Sequence, residues 1–254
     1  MRRFSIAILM LLSPCILWGQ YNETIRTGRP GQAIGAYTVG KNVFQLQSGF
    51  TYNPIENGLI ETRSYSHNTV LRIGILERFE INGLVGWQYD LIKNGIDEQN
   101  RKGISNTQIG GRLNILERRG AIPAVGIQGR ILLKAQSEDF RREKPGSKFI
   151  LTTGNKITDW LSFGTNWGVT WSGNDQGPES LYIINGSIAL TKTFGGFVEV
   201  YGSFNQFSVN YDAGFSLLLN NDLQMDISAG WQGDSQISDW FVDLGVSWRI
   251  DWRK

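Results

Sequence analysis

Apolar and polar residues alternate with a period of two along most of the chain after residue 43. The segment Arg78–Leu91 (RFEINGLVGWQYDL) is the clearest case, because its two sets of alternate residues differ sharply. One set is mostly apolar or aromatic, whereas the other carries Glu80, Asn82 and Asp90. Successive side chains of a β-strand point to opposite faces, so the pattern predicts strands with one apolar and one polar face.

The same alternation predicts twelve strands in the whole chain. No stretch with helical spacing of apolar residues competes with them, and roughly twenty residues per strand and connection suit strands that cross a bilayer at a tilt. The predicted strands lie near residues 43–53, 68–76, 79–90, 104–115, 124–135, 147–155, 160–171, 181–192, 197–205, 207–219, 223–232 and 238–250.

The lengths of the predicted connections distinguish between two all-β folds. In a soluble sandwich the apolar faces form a core, whereas in a transmembrane barrel they meet lipid and the polar faces line the lumen. Short connections alternate with longer polar ones, as in outer-membrane barrels. The sequence therefore predicts an all-β, antiparallel transmembrane β-barrel, with a soluble exported β domain as the alternative. The short connections are at Glu77, Glu117–Ala121, Thr193–Gly196 and Asn220–Asp222, and the long ones at 54–67, 91–103, 136–146 and 172–180.

Aromatic residues gather at the ends of the predicted strands. Tyrosine and tryptophan favour the membrane interface, because each joins an apolar ring to a polar group. With both termini of the barrel in the periplasm, these residues form two girdles, of which the outer one is the heavier. The predicted interface aromatics are Tyr52, Trp87, Tyr89, Trp171, Tyr182, Tyr211, Trp231 and Trp240 outside, and Phe44, Phe79 and Trp248 inside.

The first twenty residues, MRRFSIAILMLLSPCILWGQ, resemble a secretory signal peptide. Two arginines precede an apolar run, and cleavage is predicted after Gly19 or Gln20. Acylation of Cys15 is the alternative, although Pro14 directly before it fits a lipoprotein poorly. We therefore divide the chain into a signal peptide (1–20), a periplasmic lead-in or partial plug (21–42) and an outer-membrane barrel (43–254).

The composition of the mature protein argues against some classes of partner and covalent link. The formal net charge is only +2 and no basic block stands out, so nucleic acid is not an expected partner. Cys15 is the only cysteine, and a chain cleaved after the signal peptide can form neither a disulfide nor a cysteine metal site.

Charged residues on the predicted lumen face separate by sign along the chain. Basic residues lie mainly on strands four to six and acidic ones on strands nine to twelve, which places them on opposite walls of a barrel. Such walls set up a transverse field that tunes the selectivity of a pore, but pairing between neighbours that merely fills the interior is the alternative. The predicted lumen-lining residues are Arg72, Arg112, Arg130, Lys134, Lys148, Glu80, Glu199, Asp212, Asp226 and Asp243.

The signals for catalysis are sparse. His67, the only histidine, falls in the first predicted outer loop, where a solvated side chain is expected. A phospholipase of the outer membrane would need it in a Ser–His pair oriented by a third polar group. The segments 91–103 and SGNDQGPES hold oxygen ligands without the spacing of a calcium loop. We predict no enzymatic activity, no cofactor and no metal site.

Two early segments resemble a known family. Arg29–Asn53 (RPGQAIGAYTVGKNVFQLQSGFTYN) and Val70–Ile81 (VLRIGILERFEI) are similar to outer-membrane transporters of the "putative meta-pathway of phenol degradation" group, which is frequent in Bacteroidetes. The resemblance implies a β-barrel in the outer membrane of a Gram-negative bacterium. It brings no catalytic motif, and phenol is not transferred from it as the substrate.

The expected function is passive passage of small solutes, including apolar or aromatic ones, and the solute itself is not identified. The alternative is a non-conducting structural or surface-interaction barrel with a packed lumen. The expected partners are outer-membrane lipid and the barrel-assembly machinery. The C-terminus, WRIDWRK, departs from an insertion signal that ends on an aromatic residue, and Trp248 or Trp252 is expected to serve in its place.

Overall fold

The computed structural model describes residues 22–174, 177–205, 207–233 and 237–253. Within these ranges twelve antiparallel strands form one closed barrel in which each strand pairs with its neighbours in sequence and β1 pairs with β12. The predicted fold class and strand number are confirmed. The strands are β1 (Val43–Asn57), β2 (Ile60–Leu76), β3 (Phe79–Asn94), β4 (Asp97–Leu116), β5 (Ala124–Leu132), β6 (Gly146–Lys156), β7 (Leu161–Trp171), β8 (Glu179–Ala189), β9 (Phe194–Ser203), β10 (Asn210–Asn220), β11 (Leu223–Gln232) and β12 (Ser238–Asp251).

The two faces of the sheet are inverted relative to those of a soluble protein. Large apolar side chains such as Val85, Leu244 and Trp248 are exposed on the outside, whereas polar side chains such as Gln45 and Asn114 are buried inside. Closure pairs every strand edge, which lipid requires because it cannot hydrogen-bond to free backbone groups. The apolar belt and polar interior are those of a membrane-spanning barrel.

Two predicted loops are wrong. Residues 54–67 and 91–103 mostly continue the strands, and only residues 58–59 and 95–96 connect β1 to β2 and β3 to β4. Gly58 and Gly95 have positive φ angles of 61° and 60°, as at the first central position of a type II′ hairpin turn. The polar composition of these segments indicated loops. Pairing between backbone groups does not depend on the side chains, so the strands extend as hairpins beyond the apolar belt.

The remaining connections follow the predicted alternation only in part, because the outer connections 204–209 and 233–237 are shorter than the inner connection 117–123. The end of the barrel where β1 begins and β12 ends, here called the inner end, carries short connections at residues 77–78, 117–123, 157–160, 190–193 and 221–222. The opposite, outer end carries the long connection 133–145, which contains a short 3-10 helix at Glu138–Phe140. The described ranges contain no helix that is long and apolar enough to cross a bilayer. The predicted signal peptide, with Cys15, lies outside the described residues.

Candidate functional site

Residues 22–42, here called the lumen segment, run through the inside of the barrel. Near its start, Arg249 of β12 donates a hydrogen bond to the carbonyl of Asn22 at 2.7 Å. Near its end, Asn114 of β4 donates to the carbonyl of Ala36 at 3.0 Å. Because β12 and β4 lie on different sides of the barrel order, the segment crosses the lumen rather than following one wall.

Side chains of the barrel satisfy the backbone of the lumen segment midway across. The backbone NH groups of Gln32 and Ala33 donate to the Glu199 carboxylate at 2.7 and 3.1 Å. Asn166 accepts from the NH of Ile34 at 2.7 Å and donates to its carbonyl at 3.0 Å. Buried backbone groups need such partners, so polar residues on β7 and β9 hold an irregular chain in place.

An ion cluster ties Arg29 of the lumen segment to the acidic wall. Its Nη2 lies 3.1 Å from Asp226 Oδ1 and also contacts Asp243. The guanidinium lies over Gly49 of β1 and Gly245 of β12, which are register partners. A Cβ atom at either glycine would collide with it. Two glycines on adjacent strands therefore leave the space that the charged side chain of Arg29 occupies.

A second ion cluster spans β2, β3 and β4 at one side of the basic wall, and it contacts both the early and the late part of the lumen segment. Arg72 donates from Nε and Nη2 to Glu80, both at 2.8 Å, and from Nη1 to the carbonyl of Arg26 at 3.0 Å. Arg112 Nε lies 3.8 Å from Glu80, and the NH of Val39 donates to the same carboxylate at 2.9 Å. One fully buried carboxylate thus joins two arginines of the wall to the segment.

Charged side chains with polar partners lie at the outer end of the lumen. Arg101 Nη2 lies 2.8 Å from Asp90 Oδ2. Arg142, in the long outer loop, donates to Asn106 Oδ1 at 3.1 Å, and burial lowers the pKa of its guanidinium. Fixed charges therefore lie at this end of the lumen.

A cavity of about 670 Å³ lies beside the lumen segment, toward the inner end. The segment forms one side of it, and the inward faces of β7 to β9 form another, with Asn166, Asn185, Ser187 and Glu199 among the lining residues. Its volume falls within the range of about 300–1,000 Å³ that is usual for small-molecule sites. The lumen beside the segment can therefore hold a small solute.

The structure places nine of the ten predicted lumen-lining residues on inward positions of the strands. Lys134 lies elsewhere, because β5 ends at Leu132 and the lysine, in the outer loop, donates to the carbonyl of Glu143 at 2.9 Å. The inward residues are Arg72, Glu80, Arg112, Arg130, Lys148, Glu199, Asp212, Asp226 and Asp243.

Most of the predicted interface aromatics lie on the outer surface. Tyr182 differs from the others because it is buried: Phe204 covers its ring. Its hydroxyl donates to the carbonyl of Ser208 at 2.9 Å. Tyr65, which the sequence placed in a loop, joins the girdle on β2 between Tyr52 and Tyr89. The exposed members are Trp87, Trp171, Tyr211, Trp231, Trp240 and Trp248.

His67 lies on the lipid-facing side of β2 and not in a loop. Its Nε2 is 2.7 Å from the hydroxyl of Ser48, which is 3.4 Å from that of Thr69. Acyl transfer by such a pair needs a third group that orients the imidazole, and none is bonded to the other ring nitrogen in the described ranges. Nor do these ranges contain three His, Cys, Asp or Glu residues that could hold a metal ion.

Sequence patterns alone missed the residues of the lumen segment that hold it in place, Arg29, Gln32 and Ala33 above all. Two signals pointed toward them. One is the run of polar residues such as Thr152 and Asn166 on inward positions. The other is glycine on facing strands, since a bare position marks the close approach of another group.

A family model described as "Putative MetA-pathway of phenol degradation" matches residues 27–250. No curated protein sequence matches the chain. Among solved structures, the COG4313 outer membrane channel from Pseudomonas putida F1 is similar with a TM-score of 0.71 and 5% identity, covering 87% of this chain and 100% of that one. The KdgM porin in complex with disordered oligogalacturonate (TM-score 0.55, 9% identity, 79% and 98% covered) and the β domain of the Bordetella autotransporter BrkA (0.52, 13%, 81% and 98%) share the fold.

Proposed function

The chain belongs to the family described as "Putative MetA-pathway of phenol degradation", and we propose that it is a non-enzymatic, gated passive channel for small solutes in the outer membrane. The lumen segment is the gate in this proposal. Apolar or aromatic compounds are the proposed solute class, and the description of the family supports that class.

The way in which the lumen segment is held carries the proposal. The barrel closes through its own strand pairs and does not need the segment for any of them. Separate side-chain contacts hold the segment, including those of Arg29, Glu199 and Asn166. Contacts of this kind can break locally while the sheet stays intact, and local opening of low-stability segments is common in proteins.

The proposal extends to how the protein is made. Residues 1–20 act as a cleaved signal peptide, residues 21–42 as a partial plug and residues 43–254 as the barrel, which the barrel-assembly machinery inserts with Trp248 or Trp252 near the end of the chain. A source among the Bacteroidetes fits the early segments Arg29–Asn53 and Val70–Ile81.

Single-channel conductance of the folded protein in a planar bilayer tests the proposal. We expect rare, brief openings from the unsubstituted protein and more frequent openings from Arg29→Ala, because that variant loses the contacts with Asp226 and Asp243. Arg78→Ala is the matched control, since it removes an ion pair of 3.1 Å with Glu117 at the inner turns and should leave the openings unchanged. Equal conductance of the two variants would contradict the gate.

The alternative is a non-conducting barrel that acts through its outer surface. The many hydrogen bonds and ion pairs between the lumen segment and both walls favour this alternative, because a polar interior in which all groups are paired is also rigid. Silence of the unsubstituted protein and of Arg29→Ala, with folding intact in both, would establish this alternative. Swelling of proteoliposomes in graded solutes would exclude it.

A further inference from the structure

Two basic side chains face each other on the inward side of β5 and β6. Arg130 and Lys148 are direct register partners, and both are partly exposed. Like charges directly opposite each other on neighbouring strands are destabilising. In the described part of the chain, no carboxylate lies within ion-pair distance of either one, and the nearby Glu80 already binds Arg72.

Asn82, Arg130 and Lys148 lie on one register row of the sheet, with Gly110 between Asn82 and Arg130. Arg130 lies across Gly110, and its Nε donates to Asn82 Oδ1 at 2.8 Å while its Nη1 donates to Gln108 at 3.3 Å. Its Nη2, the Lys148 ammonium and the buried Nδ2 of Asn82 have no acceptor among the described residues. Only the Nδ2 of Asn82 is a buried donor, which in folded proteins is nearly always paired, whereas the Arg130 and Lys148 side chains are partly exposed. The two cations lack a partner that is an acceptor and carries negative charge.

We infer that Arg130 and Lys148 form a binding site for the carboxylate group of a small solute, with Asn82 holding the Arg130 guanidinium in place. A carboxylate has two acceptor oxygens, which suit a guanidinium edge and an ammonium group at once. The charge of the bound group offsets the repulsion between the two cations. The site gives the channel a preference for small carboxylic acids in their ionised form.

The site lies on the outer side of the lumen segment. The segment touches β6 at Thr152, which donates to the carbonyl of Ile34 at 2.7 Å. Lys148 is four residues nearer the outer end of the same strand, a distance of roughly 13 Å at the rise of a strand. A solute from outside can therefore reach the site while the segment is in place.

Glu179 is the internal group that competes with the solute. It lies on the same register row as Lys148, separated from it by Thr170 of β7, and it is exposed at the outer end of β8. Its charge reduces the field at the site without forming an ion pair. Neutralising it should therefore strengthen binding of an anion.

Isothermal titration of the folded, full barrel in detergent with sodium benzoate tests the inference. We expect saturable binding that weakens at least tenfold in Lys148→Met and in Arg130→Met, and that strengthens in Glu179→Gln. Lys134→Met is the matched control, because this exposed lysine of the outer loop lies off the barrel wall, and binding should be unchanged. Heat-dependent migration in gels verifies that each variant is folded, and Lys148→Met removes no hydrogen bond that the fold uses.

The other outcomes overturn the inference. Absence of benzoate binding, an equal loss in Lys134→Met, equal binding of uncharged benzyl alcohol or preference for inorganic phosphate would each exclude a carboxylate site at Arg130 and Lys148. The inference rests on the proposed channel only in naming the bound molecule as a solute. Titration needs no opening of the lumen segment. Benzoate binding by a protein that stays silent, also as Arg29→Ala, would therefore refute the channel and keep the site. A conducting protein that does not bind benzoate would refute the site and keep the channel.

Discussion

At the scale of single residues, Glu80 is the buried carboxylate whose negative charge compensates two arginines of the lumen. It is fully buried, holds Arg72 through two hydrogen bonds and lies 3.8 Å from Arg112. We expect Glu80→Gln to lower the free energy of unfolding by about 3–5 kcal/mol, since removing one partner leaves buried cations uncompensated. Denaturant titration in detergent, followed by tryptophan fluorescence, measures the change.

Glu98→Gln is the control for this prediction. Glu98 pairs with Lys93 at 3.8 Å on the hairpin beyond the belt, and both side chains are more than half exposed. Exposed pairs contribute about 0–1 kcal/mol, so the unfolding midpoint should barely move. A similar loss in the two variants would show that Glu80 does not act through the buried arginines.

At the scale of elements, the lumen segment passes close to β2 because Gly74 of that strand has no side chain. A Cβ atom there would overlap the carbonyl oxygen of Gly40, and the NH of Asn42 donates to the Gly74 carbonyl at 3.0 Å. We expect Gly74→Ala to displace the end of the segment and to destabilise the protein by about 1–3 kcal/mol, the usual cost of overpacking. The same variant should open more often in a planar bilayer, because the displaced segment obstructs the lumen less.

Gly83→Ala on the neighbouring strand β3 controls for the loss of a glycine. Its added Cβ would lie 3.6 Å from the nearest atom, the carbonyl oxygen of Gln108, which is ordinary contact. Its unfolding free energy should stay within about 0.5 kcal/mol of the unsubstituted protein. Normal stability and conductance in Gly74→Ala would contradict the close passage.

The strands were predictable from sequence to different degrees, and the reasons are physical. Strands such as β3 and β12 show strict alternation because lipid and lumen impose opposite polarity on their two faces. The hairpin ends near Asn57 and Asn94 lie beyond the lipid, where nothing enforces alternation, and only the Asn-Gly pairs marked their turns. The path of the lumen segment follows from partners more than a hundred residues away, such as Glu199 and Asn166, and no local pattern encodes it.

At the scale of the whole molecule, the lumen carries two charged walls with the lumen segment between them. The acidic wall holds Asp226 and Asp243, for which Arg29 is the counter-ion. The basic wall is bound together by Glu80, which cannot compensate Arg130 and Lys148 as well. The segment therefore meets the acidic wall through the Arg29 side chain and backbone NH groups, and the basic wall mainly through backbone carbonyls.

This separation of charge should govern ion selectivity once the lumen conducts. We expect neutralisation of the basic wall in Arg112→Gln/Arg130→Gln to shift the reversal potential in a potassium chloride gradient toward that of the cation, because the acidic wall then dominates the field. The shift should shrink at high salt, where the Debye length falls to about 3 Å. Arg63→Gln/Arg119→Gln removes the same net charge from exposed positions outside the lumen and should leave the potential unchanged. Unaltered reversal potentials in both double variants, recorded if necessary with Arg29→Ala present, would mean that the inward charges only pack the interior.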